Sequence, residues 1–206
     1  HGDVVAGDVE ARPQEVVQVE RELYPAARDE GFTYGRPETL EPVAARYTNF
    51  YEFSPFKTSW RFVDKFQPEP WTVTIDGLCR NKMKLSIDEL LKQHGDAMTE
   101  RQYRHRCVET WAMCIPWTGI PLAELVKAAD PLDKATHIKF VSFNRPDEAG
   151  NMDDLSQPWP YTEGLTLPEA VNELTLLSTG MYGHPLLKQH GAPVRLVVPW
   201  KYGYKS

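Results

Sequence analysis

The chain has 206 residues, of which 41% are hydrophobic and 25% are charged. This balance is typical of one globular domain and excludes a wholly disordered chain. The 23 basic and 29 acidic residues give a net charge of -6, which argues against nucleic acid as the main partner because duplex binding usually needs a basic face. No apolar run approaches the roughly 18–20 residues of a membrane span.

Residues 1–45 are polar and rich in Glu, Arg and Pro, and we interpret them as an N-terminal arm. The composition changes at Arg46, and residues 46–206 are predicted to form one domain. The segment from Tyr47 to Phe53 holds four aromatic residues in seven positions. Ser206 follows a strand-like stretch without a polar tail, so we expect the domain to be incomplete at its C-terminal end.

Short helices and strands interleave irregularly after Arg46. Periodicity, caps and turn residues predict, in chain order, strand 71–75, helix 87–93, helix 120–129, strand 137–143, helix 167–174 and strand 194–200. Ser86 with Glu89 three residues later forms a capping box at the start of the first of these helices. Residues 144–163 form a polar loop long enough to be functional. The order of elements predicts an α+β fold.

Cys107 has the most unusual neighbours of any candidate functional residue. Arg104, His105 and Arg106 precede it, and Glu109 follows it. Cationic neighbours favour the thiolate, which attacks electrophiles and binds metals. If this stretch is a strand, His105 and Glu109 share a face with Cys107, which places a thiolate, an imidazole and a carboxylate in one row. A buried and inert cysteine explains the same pattern.

Other cysteine chemistry has less support in the sequence. Cys114 lies seven residues after Cys107, a spacing that matches no zinc site, and Cys79 is distant from both. No glycine-rich elbow follows Cys107, which disfavours a thiol hydrolase.

Arg195 interrupts the apolar stretch from Val194 to Val198. A strand arginine in this setting is either an anion ligand at the rim of a sheet or a surface residue whose stem packs along apolar neighbours. Lys201 and Lys205 add positive charge within ten residues. Arg195 is therefore a candidate anion ligand.

Four blocks of sequence resemble the sulfite oxidase superfamily and, within it, the bacterial periplasmic protein-methionine-sulfoxide reductases. These blocks are residues 49–53, 104–111, 161–165 and 191–205. The resemblance extends from about Arg46 to the last residue. It implies a sulfite-oxidase-like molybdopterin-binding fold, α+β with mixed sheets.

The resemblance also implies a molybdopterin cofactor with Cys107 as the protein thiolate on molybdenum, a soft donor suited to such a metal. The implied cofactor-binding residues are Asn49, Tyr51, Glu52, Ser142, His190, Arg195, Lys205 and Ser206. Arg195 is the implied ligand of the pterin phosphate. Ser142 stands where the family has Thr, and His190 stands where a relative has Asn.

Asn49 and Glu109 are the candidate catalytic residues beside Cys107. We expect Glu109 to have a proton or polarity role near the metal; the alternative is an ion pair with Arg104 or Arg106. Asn49 is expected to donate a hydrogen bond to a substrate oxygen. We also expect the aromatic residues 47, 50 and 51 to form the inner wall of the cofactor site, and residues 144–163 to form part of a shallow rim.

The implied activity is reduction of methionine sulfoxide in oxidised periplasmic proteins, with a membrane haem-containing subunit as electron donor. Sulfite oxidation on the same scaffold is the enzymatic alternative. Sulfite is an anion and would need several cations near the metal, whereas Asn49, aromatic residues and Glu109 suit a neutral sulfoxide. A non-catalytic periplasmic binding protein is the alternative from another class, and it would carry no molybdenum.

Overall fold

The computed structural model of the chain describes residues 23–48 and 50–201. Three predicted site residues, Asn49, Lys205 and Ser206, lie outside the described residues. The described helices are α1 Glu41–Ala44, α2 Ile87–His94, α3 Leu122–Ala129 and α4 Leu167–Ala170. The described strands are β1 Thr72–Ile75, β2 Met83–Ser86, β3 Thr99–Arg106, β4 Ala112–Pro121, β5 His137–Val141, β6 Thr162–Thr166, β7 Leu176–Met181, β8 His184–Pro185 and β9 Arg195–Val197.

A five-stranded sheet forms the centre of the described fold. Its strand order is β3-β4-β7-β8, and β9 pairs with β7. Strands β3 and β4 form an antiparallel hairpin that ends at the pair Arg106 and Ala112, so residues 107–111 connect the two strands. The hairpins β1–β2 and β5–β6 form two further antiparallel sheets, and an isolated parallel bridge joins Arg28 to Glu100.

The two longer helices show where local sequence decides structure. The Ser86 side chain accepts a hydrogen bond from the Glu89 N–H, and Glu89 bonds back to the Ser86 N–H, which confirms the predicted capping box. Helix α3 begins at Leu122, two residues later than predicted, because Ile120 and Pro121 pair with β7 and remain in the sheet. Among residues 23–48 and 50–201, no helix is long and apolar enough to span a membrane.

Several predicted helices and strands are shorter in the structure. Strand β5 ends at Val141, helix α4 ends at Ala170 and strand β9 covers three residues. The last part of the predicted loop 144–163 belongs to β6, because Thr162 pairs with Val141 across the hairpin. Strand β2 was not predicted, although its four residues, Met83–Ser86, alternate between apolar and polar side chains.

Apolar side chains cover both faces of the central sheet. One core packs against α2 and α3 and includes Leu90, Leu125 and Leu177, and a second core includes Tyr103, Trp117 and Val197. A third, aromatic cluster contains Phe50, Phe53, Phe66, Ala149 and Met152.

Part of the predicted N-terminal arm packs on this domain. Leu23, Tyr24 and Ala26 contact the first core, and the Arg28 guanidinium lies 2.6 Å from the Glu100 carboxylate. Residues 23–45 therefore contribute contacts to the sheet. The division at residue 45 stays a prediction.

Gly119 marks a close approach between β4 and β7. A β-carbon at this position would lie 2.4 Å from the Leu177 carbonyl oxygen and 2.6 Å from the Ser178 α-carbon. Because both neighbours are backbone atoms, we expect Gly119→Ala to destabilise the fold by about 1–3 kcal/mol. Urea unfolding measures this loss. Gly164→Ala on β6 is the control, because a β-carbon there would have no heavy atom within 4 Å beyond its chain neighbours. Equal stability of the two variants would contradict the prediction.

Candidate functional site

Cys107 lies in the tight connection between β3 and β4, residues 107–111, which we name the cysteine loop. The Cys107 N–H donates to the Trp111 carbonyl at 3.0 Å, and the Thr110 N–H donates to the Cys107 carbonyl at 3.1 Å. Thr110 has a φ of 75°, which is unusual for a β-branched residue. Backbone conformations of this kind concentrate at functional sites, where the surrounding structure holds them.

The structure corrects the predicted row of side chains around Cys107. His105 and Cys107 are both buried, as strand alternation predicts. Strand β3 ends at Arg106, however, and the chain then turns, so Glu109 is exposed and leaves the strand face. The alternative pairing of Glu109 is also corrected, because its ion pair is with Lys57 and not with Arg104 or Arg106.

Three donors converge on the Glu109 carboxylate. The Tyr51 hydroxyl donates to Oε1 at 2.6 Å, the Trp111 indole N–H donates to Oε2 at 3.2 Å, and the Lys57 ammonium pairs with Oε2. The hydrogen bonds from Lys57 and then from Tyr51 lower the pKa of Glu109. The carboxylate is therefore ionised at neutral pH, and it ties the cysteine loop to the segment that carries Tyr51.

Lys57 is the residue that sequence reasoning missed. It contacts both Tyr51 and Glu109, and its ammonium lies 4.5 Å from the centroid of the Tyr51 ring. A single lysine between Phe56 and Thr58 carries no motif that distinguishes it from a surface lysine.

A small cavity of about 30 Å³ lies beside the central sheet. Six nitrogen-bearing side chains line it, and they are those of His105, Trp111, Trp117, Gln189, His190 and Arg195. Of the described Asp and Glu residues, none lines this cavity. The cavity therefore has the hydrogen-bond donors and the cation of an anion site. None of the described carboxylates lies there to compete with a bound anion.

Local backbone geometry places His190 and Arg195 at this cavity. Gly191 follows His190 with a φ of 94°, and a β-carbon there would lie 2.6 Å from the Phe50 ring. Only glycine allows both the turn and this close approach. The Arg195 guanidinium then lies 5.3 Å from the Phe50 ring centroid and 4.9 Å from that of Trp117, and it donates to the His190 carbonyl.

Burial sets the charge of this cavity. Burial, with a smaller contribution from the nearby Arg195 cation, lowers the pKa of His105 to about 3 and that of His190 to about 4. Burial also lowers the pKa of Arg195, to about 10. At neutral pH the two imidazoles are therefore neutral donors or acceptors, and Arg195 supplies the positive charge.

Two buried nitrogen atoms at this cavity are available to bind an anionic group. His190 Nδ1 and Trp117 Nε1 have no hydrogen-bond partner among the described residues. A buried polar atom left unsatisfied costs about 1–3 kcal/mol, and a ligand group is one way to remove that cost. These atoms and the Arg195 cation fit the phosphate of the predicted cofactor.

The structure distributes the remaining predicted residues around this region. Ser142 lines a second and larger cavity of about 1110 Å³, which also contacts Phe50 and Arg195. Its N–H donates to the Tyr161 carbonyl at 2.9 Å. Arg195 is therefore common to both cavities, whereas Ser142 and His190 lie on different ones.

Loop 144–163 lies against the segment that carries Tyr51 and Glu52. The Asn151 side-chain amide donates to the Tyr51 carbonyl at 2.6 Å, and the Asn151 N–H donates to the Glu52 carbonyl at 3.0 Å. Glu52 is fully buried. Leu155, in the same loop, is 97% exposed, so the loop has an anchored side and an open side.

The protein contributes few metal ligands in the described region. Cys79, Cys107 and Cys114 form no disulfide, and no group of three His, Cys, Asp or Glu side chains among residues 23–48 and 50–201 is arranged to hold a metal. A metal on the Cys107 thiolate would need further ligands from a cofactor, as the resemblance implies.

Comparison with known proteins identifies the family. The pattern of the oxidoreductase molybdopterin binding domain matches residues 61–206. The chain belongs to this family. This membership confirms the predicted molybdopterin cofactor, which the cavity at Arg195 fits.

Relatives of this domain include named reductases. The chain is 46% identical over 203 residues to the protein-methionine-sulfoxide reductase catalytic subunit MsrP of Xanthomonas axonopodis pv. citri, covering 98% of this chain and 62% of the relative. It is 53% identical over 163 residues to the protein of the same name from Gluconobacter oxydans, covering 78% of this chain and 52% of the relative. The chain therefore spans just over half of the length of these relatives.

A solved structure shares the fold. The sulfane dehydrogenase SoxCD from Paracoccus pantotrophus matches with a TM-score of 0.54 and 15% identity, covering 100% of this chain and 53% of that chain. This likeness confirms the predicted sulfite-oxidase-like α+β fold.

Proposed function

We propose that the protein is a molybdopterin-dependent reductase of methionine sulfoxide in periplasmic proteins. The observation that carries this proposal is the identity of 46–53% to relatives named as protein-methionine-sulfoxide reductases. The described geometry supports it through an anion cavity at Arg195 and a buried cysteine in a tightly turned loop. Sulfoxide is the reversible level of methionine oxidation, so a reductase for it restores the native side chain.

Bound molybdopterin would supply the molybdenum that performs two-electron oxygen-atom transfer. We propose that Cys107 is the protein ligand of the metal, since a thiolate is a soft donor. Arg195 and His190 would hold the phosphate, with Trp117 Nε1 as a further donor. The remaining proposed contacts are those of Asn49, Tyr51, Glu52, Ser142, Lys205 and Ser206.

Glu109 is proposed to act by polarity and position and not as a proton donor. Its two carboxylate oxygens accept from Tyr51, Trp111 and Lys57, which leaves it the role of an acceptor. Asn49 remains the proposed donor to the substrate oxygen, because an amide N–H can bond a neutral sulfoxide without adding charge.

The charge near the cysteine loop favours a neutral substrate over sulfite. Lys57 approaches this loop, but the Glu109 carboxylate neutralises it, and Arg104 and Arg106 alternate along β3 with the buried His105 and so lie on the other face of the strand. Arg195 lies in the cavity proposed for phosphate, so its charge would be committed to the cofactor. Sulfite oxidation would need cations left for the substrate, and it therefore stays the second candidate.

A protein substrate requires an open approach to the metal. Loop 144–163 is anchored beside Tyr51 through Asn151 and exposes Leu155, which supports its proposed place at the rim of the site. The relatives are named as catalytic subunits, and we propose a membrane haem-containing subunit as the electron donor of this protein.

Steady-state kinetics of the full-length holoenzyme test this function. With a reduced viologen dye as electron donor, we expect kcat/KM for an oxidised protein to exceed that for free methionine sulfoxide by about tenfold or more, because about 1.4 kcal/mol of added contact energy produces this factor. The two substrates should compete for one site. Molybdenum content is measured in the same preparation.

Two results would contradict the proposal. Faster turnover of sulfite than of both sulfoxides would favour the sulfite oxidase alternative. A purified full-length protein without molybdenum and without reductase activity would favour the non-catalytic binding protein.

A further inference from the structure

Lys57 connects three parts of the candidate site. Its backbone carbonyl accepts from the Thr48 N–H at 3.0 Å, which closes the chain segment between these two residues. That segment contains Tyr51 and Glu52. Its side chain reaches the Tyr51 hydroxyl and the Glu109 carboxylate of the cysteine loop. One lysine thus contacts both the proposed cofactor segment and the loop that carries the proposed metal ligand.

The environment of Lys57 differs from that of an ordinary surface lysine. Its side chain is 20% exposed, and its ammonium lies over the Tyr51 ring. An isolated surface ion pair contributes little. Here a single ammonium contacts the Tyr51 hydroxyl, the face of the Tyr51 ring and the Glu109 carboxylate. These contacts fix the cysteine loop relative to the segment that contains Tyr51.

Among the described residues, side-chain contacts join the cysteine loop to this segment at Glu109, and to Tyr47 just before the segment at Trp111. Glu109 is bound by Tyr51 and Lys57, and Trp111 packs edge-on against Tyr47 at 5.2 Å between ring centroids. The hydrogen bond of Tyr51 to Glu109 depends on a hydroxyl that Lys57 also contacts. Removal of the ammonium would therefore weaken two of these links together.

We propose that Lys57 is a positioning residue for the proposed reductase, which docks the cysteine loop on the Tyr51 segment and so sets the orientation of Cys107. This inference rests on the proposed function for its catalytic consequence. Its structural part concerns only the described residues. A positional error of about 1 Å in a reacting group costs about a hundredfold in rate, so a loosened loop should lower turnover.

The first test compares hydrogen exchange in full-length holoenzyme variants. Lys57→Met removes the charge and keeps the aliphatic stem, and we expect faster deuterium uptake in the peptide that spans residues 103–112. Its Cys107 and Thr110 amides donate within the loop. Lys57→Arg should restore slow uptake. Lys65→Met is the matched control because Lys65 is exposed and lies eight residues further along the chain, outside this segment.

The second test separates positioning from folding and from cofactor loading. In Lys57→Met we expect unchanged molybdenum content, a shifted electron paramagnetic resonance spectrum of the metal centre, and a kcat lowered about tenfold to a hundredfold with KM within about twofold. Lys65→Met should match the wild type in every measurement.

Clear outcomes would overturn the proposal. Wild-type uptake in Lys57→Met, or an equal increase in Lys65→Met, would show that Lys57 does not dock the loop. If Lys57→Met does not fold, Glu109→Gln removes the same pair from the other side, and wild-type exchange in that variant would overturn the proposal. If the wild-type protein lacks reductase activity while Lys57→Met still shows faster deuterium uptake in the cysteine loop, that result contradicts only the proposed function.

Discussion

Replacement of Cys107 by serine should abolish sulfoxide reduction. A neutral hydroxyl is a poor substitute for a thiolate on a soft metal, and we expect activity to fall by about 10³-fold or more, which corresponds to about 4 kcal/mol of transition-state stabilisation. Cys107 is 3% exposed, and serine differs from cysteine by one atom, so the fold should remain intact. Reductase activity and molybdenum content are the measurements.

The cofactor should stay bound in this variant through its phosphate contacts, since those come from a different part of the chain. Cys79→Ser is the control, because Cys79 lies at an isolated bridge with Pro131 away from the cysteine loop, and it should retain activity. Full activity of Cys107→Ser would refute the assignment of the metal ligand.

Replacement of Arg195 by alanine should release the cofactor. A charged hydrogen bond contributes about 1.5–3 kcal/mol, so loss of the guanidinium should weaken cofactor binding by about 10-fold to 150-fold. The effect on folding should be smaller, because Arg195 donates in the described structure to the backbone carbonyls of His190 and Leu196. Molybdenum per protein after dialysis measures retention, and thermal unfolding of the cofactor-free protein measures stability.

Arg61→Ala provides a matched control for this experiment. Arg61 is exposed, and its guanidinium also lies over an aromatic ring, that of Trp60, at 5.1 Å. We expect this variant to keep its molybdenum. Unchanged molybdenum in Arg195→Ala would mean that Arg195 is no phosphate ligand and that the cavity beside His190 binds something else.

The two variants probe different ends of one proposed cofactor. Cys107 lies in the cysteine loop after β3, and Arg195 begins β9. Both strands belong to the central sheet. If the proposal is correct, Cys107→Ser yields a loaded and inactive protein, whereas Arg195→Ala yields a depleted one.

Local sequence determined the features that depend on neighbouring residues. The capping box of Ser86 and Glu89 specifies where α2 begins, because both hydrogen bonds lie within four residues. Alternation predicted that His105 on β3 and Cys107 just after β3 are both buried. The sequence alone also indicated the family. Three of the four blocks that resemble it, with residues from β3, β6 and β9, lie within the matched domain at residues 61–206.

Tertiary structure alone decided which side chains meet at the candidate site. Tyr51 and Glu109 are 58 residues apart, and no local pattern connects either of them to Lys57. The row of His105, Cys107 and Glu109 required a strand that continues to Glu109, and it does not form because β3 pairs with β4 only up to Arg106 and Ala112 and the chain turns between them. Likewise, His105 and Trp117 join His190 and Arg195 only because β3, β4 and the chain before β9 pack together around one cavity. Burial there, which no single segment can create, makes the imidazoles neutral and leaves Arg195 as the cation.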